Sequence, residues 1–220
     1  MEAEQLADEY RRRFEPHSAY RDRVWKVLVD HYFQRFVEPD DRVLDLGCGW
    51  GEFINNVTAG QKYALDLNPD VDGRLGTDVT LLAQPADQPW ALDDGTLDVV
   101  FTSNFLEHLG DRASILAALT QAHRCLRPGG TIVCLGPNMK AVAGAYWDYF
   151  DHYVPLTERS MAEALELSGF EVDRVIPRFL PYTMSGKREA PVALVRWYLR
   201  VPLAWRLLGG QFLVTATRPG

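Results

Sequence analysis

Hydrophobic positions along the chain follow two different spacings. Between residues 18 and 36, Val24, Leu28 and Tyr32 recur every four residues, which is the spacing of one helix face. Short runs of consecutive apolar residues, bounded by turn-forming residues, are typical of buried strands. The patterns predict helices over 3–14, 18–36, 52–57, 111–125 and 157–167, and strands over 42–46, 62–66, 79–83, 96–101, 131–135, 170–176 and 211–217.

Strands and helices alternate through most of the chain. This alternation indicates βαβ units, in which parallel strands form one sheet with helices on both faces. The 220 residues suffice for one sizeable domain, so residues 1–220 are predicted to form a single α/β domain. One stretch is unusual, because about 30 residues separate the last two predicted strands where a connection of a few residues is common.

The charged residues divide the chain into two unequal parts. The net charge is −7, but residues 1–173 carry −14 and residues 174–220 carry +7. An acidic body argues against general nucleic-acid binding, which needs clustered Lys and Arg. No apolar secretory segment is visible near residue 1, so a cytoplasmic location is expected. The three cysteines show no CxxC spacing, so we expect reduced thiols.

The most informative stretch is a glycine-rich connection after the first strand. It runs from Asp45 to Gly51 and places glycines where a ligand can approach the backbone closely. A dinucleotide-binding loop would have a third glycine where this chain has Glu52. A carboxylate at that position would repel a pyrophosphate bound at the start of a helix, so NAD and FAD are disfavoured as ligands. A cationic ligand without a phosphate is compatible with it.

The stretch from Asp45 to Gly51 resembles the first motif of class I S-adenosylmethionine-dependent methyltransferases. Similar motifs follow in the family's order at Asp66, 84–90, 101–109 and 126–130. The resemblance implies a Rossmann-like fold with seven strands, mostly parallel, with helices on both faces and the last strand antiparallel. It also implies S-adenosylmethionine as the cofactor and S-adenosylhomocysteine as the product.

The same resemblance implies which residues bind the cofactor. The family places an acid at the end of the second strand to accept the ribose hydroxyls, and here this acid is Asp66. Gln84 stands where relatives often have Asp, so its amide oxygen is expected to meet the adenine amine unless Asp87 takes that role. The predicted cofactor-binding residues are Asp45, Gly47, Cys48, Gly49, Gly51, Asp66, Leu67, Gln84, Pro85, Ala86, Ser103 and Asn104.

The resemblance further implies methyl transfer to an oxygen or nitrogen of a small-molecule acceptor, such as a natural product or sugar. A hydroxyl or protonated amine must lose a proton, and a neutral histidine suits this task. His152, in a loop after the fifth strand, is the predicted catalytic residue, and a purely structural histidine is the alternative. His108 is the second candidate. No metal site is predicted, because Glu107, Asp148 and Asp151 match no familiar ligand spacing.

Two flanking segments have several interpretations. Residues 1–36 are predicted to form a helical lid over the cofactor, and a solvated run of charges is the alternative. Residues 178–209 form a basic, aromatic insertion before the last strand. The insertion is expected to close the acceptor pocket, and a homodimer contact or an anionic membrane surface against 191–208 are the other options. A transmembrane span is not expected, because three arginines and a proline interrupt its apolar stretch.

Two other functions fit the same motifs. A non-catalytic subunit of this fold could bind the cofactor or a partner protein, because fold does not establish activity. A methyltransferase acting on a lipid-linked glycan at a membrane surface is the second. A nucleic-acid or protein methyltransferase is disfavoured, because Ser103 and Asn104 stand where such enzymes carry an Asn-Pro-Pro-Tyr type motif.

Overall fold

A seven-stranded sheet forms the centre of the protein in a computed structural model that describes residues 8, 11–13, 15–182 and 189–220. Its order is β3-β2-β1-β4-β5-β7-β6, and all neighbours pair in parallel except β7, which is antiparallel to β5 and β6. The predicted fold class is therefore confirmed. The strands are β1 (Arg42–Leu46), β2 (Gln61–Leu65), β3 (Val79–Leu82), β4 (Leu97–Ser103), β5 (Leu126–Pro137), β6 (Glu171–Ile176) and β7 (Gln211–Thr217).

Helices cover both faces of the sheet. Polar side chains cap the starts of three of them. Asp111 accepts the Ser114 N–H at 2.8 Å before the second helix, and Thr157 forms a capping box with Ser160 before the fourth. The α-helices are α1 (Ser18–His31), α2 (Arg112–Cys125), α3 (Met139–Val142), α4 (Glu158–Leu167), α5 (Val192–Leu199) and α6 (Pro202–Leu208). Short 3-10 helices lie at Glu15–His17, Phe33–Phe36, Pro69–Arg74, Leu106–His108 and Ala143–Asp148.

Two hydrophobic layers enclose the sheet. Successive strand residues point to opposite faces, so Val43 and Leu44 enter different layers. The first layer packs against α1 and the insertion, and it contains Phe101 and Trp205. The second packs against α2 and α4, which bury Leu119 among others. Because both faces are buried, the central strands consist of continuous apolar runs in the sequence.

Three predicted boundaries are wrong. The helix predicted over 18–36 ends at His31 and a 3-10 turn follows at Phe33–Phe36. Residues 52–57 form a series of turns instead of a regular helix, because the backbone hydrogen bonds there alternate between three- and four-residue spacing. The strand predicted over 131–135 already begins at Leu126, because Gly129 donates its N–H to the Arg218 carbonyl at 2.8 Å and so continues the pairing.

The two flanking segments are described in part. Most of the helix predicted over 3–14, and residues 183–188 of the insertion, lie outside the described residues. The rest of the insertion contains α5 and α6, which meet at Pro202, a residue that starts a helix well but lacks the N–H to continue one. Within the described ranges, no helix is both long and apolar enough to cross a membrane.

Candidate active site

A cavity of about 600 Å³ opens at the carboxyl ends of the central strands. Asp45, Asp66 and Ser103 line its floor at the ends of β1, β2 and β4. Helix α1 forms a second wall, and α5, through Trp197 among others, forms a third. The strand order reverses beside β1, and open α/β sheets bind ligands at such a reversal.

The glycine loop is held against β2 by backbone hydrogen bonds. Gly47 has φ of +70° and donates its N–H to the Leu65 carbonyl at 2.8 Å. A Cβ at Gly47 would lie 2.1 Å from the Phe105 side chain, so only glycine fits this position. Asp66 accepts the Gly49 N–H at 2.8 Å and the Asn68 N–H at 2.9 Å, one with each carboxylate oxygen. Asp66 therefore fixes the loop as well as facing the cavity.

Three carboxyl groups, those of Asp45, Glu52 and Asp66, lie at this end of the cavity. Asp45 is 3% exposed, and burial, then the charges of Glu52 and Asp66, raise its pKa well above the usual range. Burial also raises the pKa of Asp66. Glu52 pairs with Arg21 of α1 at 2.7 Å. A cationic ligand beside Asp45 and Asp66 would offset the unfavourable burial of their negative charges.

The segment after β3 is folded on itself by Gln84. Its amide accepts the Ala91 N–H at 3.1 Å and donates to the Pro89 carbonyl at 3.0 Å. One oxygen lone pair and one N–H of the amide are thereby engaged inside the loop. Asp87 lines the same cavity and accepts no hydrogen bond from the described residues. The contact of Gln84 or Asp87 with adenine stays a prediction.

Most of the predicted cofactor residues meet at this one cavity. Gly49 and Gly51 do not line it, but they shape the loop from behind: Gly51 has φ of +75° and packs against Leu75. Asn104 also has a positive φ, +50°, and donates to the Ser103 hydroxyl at 3.0 Å. The predicted residues that line the cavity are Asp45, Gly47, Cys48, Asp66, Leu67, Gln84, Pro85, Ala86, Ser103 and Asn104.

Two histidines lie side by side at the other end of the cavity. The ring centroids of His108 and His152 are 4.8 Å apart. His108 Nδ1 lies 3.0 Å from the Asp151 carbonyl and 3.1 Å from its carboxylate, which also accepts Arg13 at 2.8 Å. Burial lowers the pKa of His108, but the carboxylates of Asp151 and Glu107 outweigh it and raise the pKa above the ordinary value.

His152, the predicted catalytic residue, also lines the cavity, but its pKa is shifted in the opposite direction from that of His108. It is 7% exposed and packs against the rings of Tyr146 and Tyr149. Burial, then the charge of His108, lowers its pKa to about 4, so the ring is neutral at neutral pH. The ring also forms a hydrogen bond with the backbone of Tyr146.

The sequence alone does not predict that Glu107, Asp151 and Arg13 lie together in this wall. Glu107 is 1% exposed and lies beside His108, while Asp151 and Arg13 form the pair behind it. Asp151 is 43 residues from His108 and 138 from Arg13 in sequence, so no spacing rule connects them. The available signal was a charged residue beside each histidine, at Glu107 and Asp151.

The geometry agrees with what comparison with known proteins finds. A family described as a methyltransferase domain matches residues 17–175, which is most of the chain. The chain belongs to this family. The resemblance inferred from the glycine loop and the later motifs is therefore confirmed, and S-adenosylmethionine, the predicted cofactor, is the one that such methyltransferases use.

Individual relatives of this methyltransferase domain are distant. The malonyl-[acyl-carrier protein] O-methyltransferase of Dechloromonas aromatica is 32% identical over 133 residues, 57% of this chain and 49% of the relative. The ubiquinone biosynthesis O-methyltransferase of Xanthomonas campestris is 31% identical over 115 residues, covering 48% and 47%. The solved structure of a SAM-dependent methyltransferase from Archaeoglobus fulgidus has a TM-score of 0.66 at 19% identity and covers 93% and 98%.

The chain spans about half the length, or less, of the curated relatives it matches, between 40% and 49% for the first three. The likeness to the Archaeoglobus structure carries the fold alone. The residues of the methyltransferase domain nevertheless fit the cofactor, because the buried Asp45 and the half-buried Asp66 face a cavity large enough for a small ligand and favour a cationic one.

Proposed function

We propose that this protein transfers a methyl group from S-adenosylmethionine to an oxygen or nitrogen atom of a small-molecule acceptor. One observation carries the proposal: a single cavity joins the predicted cofactor residues around Asp66 to the wall that contains His108 and His152. Cofactor and acceptor can therefore meet without a second site. A relative named as an O-methyltransferase supports oxygen as the accepting atom.

The residues of the cavity align and enclose the reactants. When bound, S-adenosylmethionine supplies a methyl group on a sulfonium, and the new bond to the acceptor forms as the carbon–sulfur bond breaks, leaving S-adenosylhomocysteine. Asp66 and the glycine loop line one end of the cavity, and α1 and α5 form two of its walls. Alignment of this kind accounts for up to about 7–11 kcal/mol of a barrier in favourable cases.

The wall that contains His108 and His152 is the part of the cavity where we place the acceptor. Because the His152 ring stays neutral down to about pH 4, it can accept a hydrogen bond from an acceptor hydroxyl across the physiological range. The same low pKa makes His152 a weak proton acceptor. Its role as the catalytic base therefore stays a prediction, tested by His152→Ala: full kcat with the true acceptor would exclude that role.

Apolar side chains form the remainder of the acceptor end. Leu180, Leu194 and Trp197 line the cavity from the insertion, and Trp25 and Leu28 line it from α1. Such walls favour an acceptor with an apolar or aromatic body that carries one polar reacting group. This placement supports the interpretation that the insertion closes the acceptor pocket.

Calorimetric titration with S-adenosylhomocysteine tests the cofactor site. Asp66→Ala removes a carboxylate that faces the cavity and fixes Gly49, so we expect an affinity loss of at least tenfold. Asp72→Ala removes an exposed acid from the neighbouring 3-10 helix and should bind like the wild type. Absence of binding by the wild type, or equal binding by Asp66→Ala, would contradict the assignment.

Turnover separates the enzyme from a non-catalytic subunit. Incubation with S-adenosylmethionine and a panel of phenols, sugars and amines should release S-adenosylhomocysteine with at least one acceptor. A protein that binds S-adenosylhomocysteine tightly but releases none with any acceptor would favour the non-catalytic alternative.

A further inference from the structure

Glu107, His108 and His152 bring three metal-binding groups to one place in the cavity wall. Each offers one ligand atom, and these atoms lie within 4.8 Å of one another. Glu107 and His108 follow β4, whereas His152 lies in the loop after β5, so the fold alone joins them. Two imidazole nitrogens and one carboxylate oxygen form a donor set that suits divalent first-row transition-metal ions.

The hydrogen bonds of His108 orient its ring for such a role. Nδ1 points to the carbonyl and the carboxylate of Asp151, so it carries the hydrogen and leaves the lone pair on Nε2. Nε2 faces Glu107, 3.9 Å from its Oε1. Metal-binding histidines almost always donate their other ring N–H to a carboxylate or carbonyl in this way. Asp151 is thus placed as a positioning residue behind the ligand His108.

His152 supplies an independent observation that points to a ligand. Its Nδ1 is buried and has no hydrogen-bond partner. The same holds for Oδ1 of the adjacent Asp151. Unsatisfied buried polar atoms cost about 1–3 kcal/mol each, and native proteins rarely retain them without a reason. Glu107 adds a carboxylate that is 2% exposed and has no basic residue other than His108 paired with it among the described residues. A cation bound between Glu107, His108 and His152 would pair with the Glu107 carboxylate and could give the His152 ring nitrogen a partner.

The geometry points to a binding site for one divalent transition-metal ion, with Glu107, His108 and His152 as its ligands. Bonds of about 2.0–2.2 Å at tetrahedral angles place two ligand atoms about 3.3–3.6 Å apart, so ligand atoms that lie within 4.8 Å of one another close on the ion by side-chain movements of about 1 Å. Three protein ligands leave an open coordination position, as catalytic metal sites do. The site faces the cavity, because all three side chains line it.

The open position would take an oxygen of the acceptor, and this part of the inference rests on the proposed function. A metal-bound hydroxyl ionises more readily, so its O–H bond breaks, the proton leaves to water and the electron pair stays on the oxygen. The acceptor class then narrows to hydroxyl compounds such as phenols, enols or sugars. The metal would replace a histidine base, and His152 would act as its ligand.

Titration of metal-free full-length protein with cobalt(II) chloride tests the site, with visible absorption and calorimetry as readouts. We expect one equivalent to bind, with d–d bands that show nitrogen and oxygen ligation. Glu107→Gln and His152→Ala should each weaken binding at least tenfold. His31→Ala removes a histidine on α1, far along the chain from the cluster, and should bind cobalt like the wild type.

Asp151→Asn tests whether Asp151 positions His108 for the metal ion, separately from a general loss of structure. It keeps the size of the side chain but weakens the acceptor of the His108 N–H, so we expect a 10–100-fold loss of cobalt affinity. S-adenosylhomocysteine binding, measured on the same samples, reports whether each variant is folded. A folded wild type that binds no cobalt, or variants that bind it as tightly as His31→Ala, would overturn the metal site.

The two proposals fail separately. Binding of S-adenosylhomocysteine without cobalt would overturn the metal site and leave the proposed function standing. Binding of one cobalt equivalent without S-adenosylhomocysteine would support the metal site and contradict the proposed function.

Discussion

At the end of β2, the single carboxylate of Asp66 both holds the glycine loop and faces the cavity. The sequence places Asp66 there because a strand-end acid follows the glycine motif at the family's spacing. The hydrogen bonds of Gln84 within its own loop were not predictable, because they depend on how residues 84–91 close. Local motifs therefore identify single cofactor residues better than they identify the contacts of those residues.

Substitution of Gly47 tests how strictly the glycine loop requires a glycine. Gly47→Ala forces a side chain into a left-handed backbone and against Phe105, so we expect the free energy of unfolding to fall by about 2–5 kcal/mol. Urea unfolding measures the loss. Gly110→Ala, where an added Cβ meets nothing within 4 Å, should change stability by less than about 1 kcal/mol. Equal stability of the two variants would show that the loop relaxes freely.

Among the elements, the starts of β1, β4 and β5 are joined by Asp98. Its carboxylate accepts the Arg127 Nε at 2.5 Å and the Arg42 backbone N–H at 2.8 Å. Burial raises the pKa of Asp98, but these bonds, the charge of Arg127 and a side-chain hydrogen bond from Arg42 outweigh burial and lower the pKa below the usual value. One side chain thereby ties three neighbouring strands together at the edge opposite the cavity.

The pH dependence of stability should reflect this pairing. Because the pKa of Asp98 is lowered by folding, its stabilisation is complete above the unfolded pKa of about 3.9 and is lost as the pH falls through the folded value. Asp98→Asn should cost roughly 1–3 kcal/mol at pH 7 and less below pH 3. Urea unfolding between pH 7 and pH 2.5 measures both. The exposed control Asp93→Asn should follow the wild type, and a constant deficit for Asp98→Asn at every pH would contradict the expectation.

The insertion is part of the first hydrophobic layer as well as a cavity wall. Trp205 of α6 is 7% exposed, donates to the Tyr198 carbonyl at 2.8 Å and packs edge-on against Phe179. Trp197 of α5 is 56% exposed. The sequence indicated the apolar content of this segment, but not which tryptophan is buried, because Pro202 changes the direction of the chain between them.

These two tryptophans form a matched pair for mutation. Trp205→Ala should lower the free energy of unfolding by about 3–5 kcal/mol, because it removes a large side chain from the layer that contains Phe179. Trp197→Ala should lower it by less than about 1 kcal/mol. Thermal and urea unfolding of both variants check the difference. If Trp205→Ala were as stable as Trp197→Ala, the insertion would be a loosely attached arm.

Across the whole molecule, the division of charge corresponds to two different surfaces. The acidic part contains Asp45, Glu52 and Asp66 at the cofactor end of the cavity. The basic part exposes apolar and cationic side chains together on α5, on α6 and at Arg200 between them. The exposed residues there are Leu194, Arg196, Trp197, Arg200, Leu203, Arg206, Leu207 and Leu208.

Helices that expose apolar residues beside arginines are typical of contact with anionic membrane surfaces. Closure of the acceptor pocket is the main expectation for this segment; the alternative of an anionic membrane surface predicts that the protein sediments with vesicles of phosphatidylcholine and phosphatidylserine more than with phosphatidylcholine alone. Changing Arg196, Arg200 and Arg206 to Gln should weaken this binding about 100-fold, at roughly 1 kcal/mol per arginine. The control changes Lys26, Arg112 and Arg159, which are exposed elsewhere, to Gln. Equal binding by both triple variants, or none by the wild type, would make the charge division incidental.

The sequence by itself determined the α/β class, the central strands, the glycine loop and the acids beside it, because these features are written in short apolar runs and local spacing. Only the tertiary structure decided that Glu107 and His108 meet His152, and that Trp197 of α5 lines the cavity while Trp205 of α6 packs into the core. These contacts join residues tens of positions apart, and their distances depend on strand order and loop path. The spacing of residues along the chain therefore does not predict these contacts.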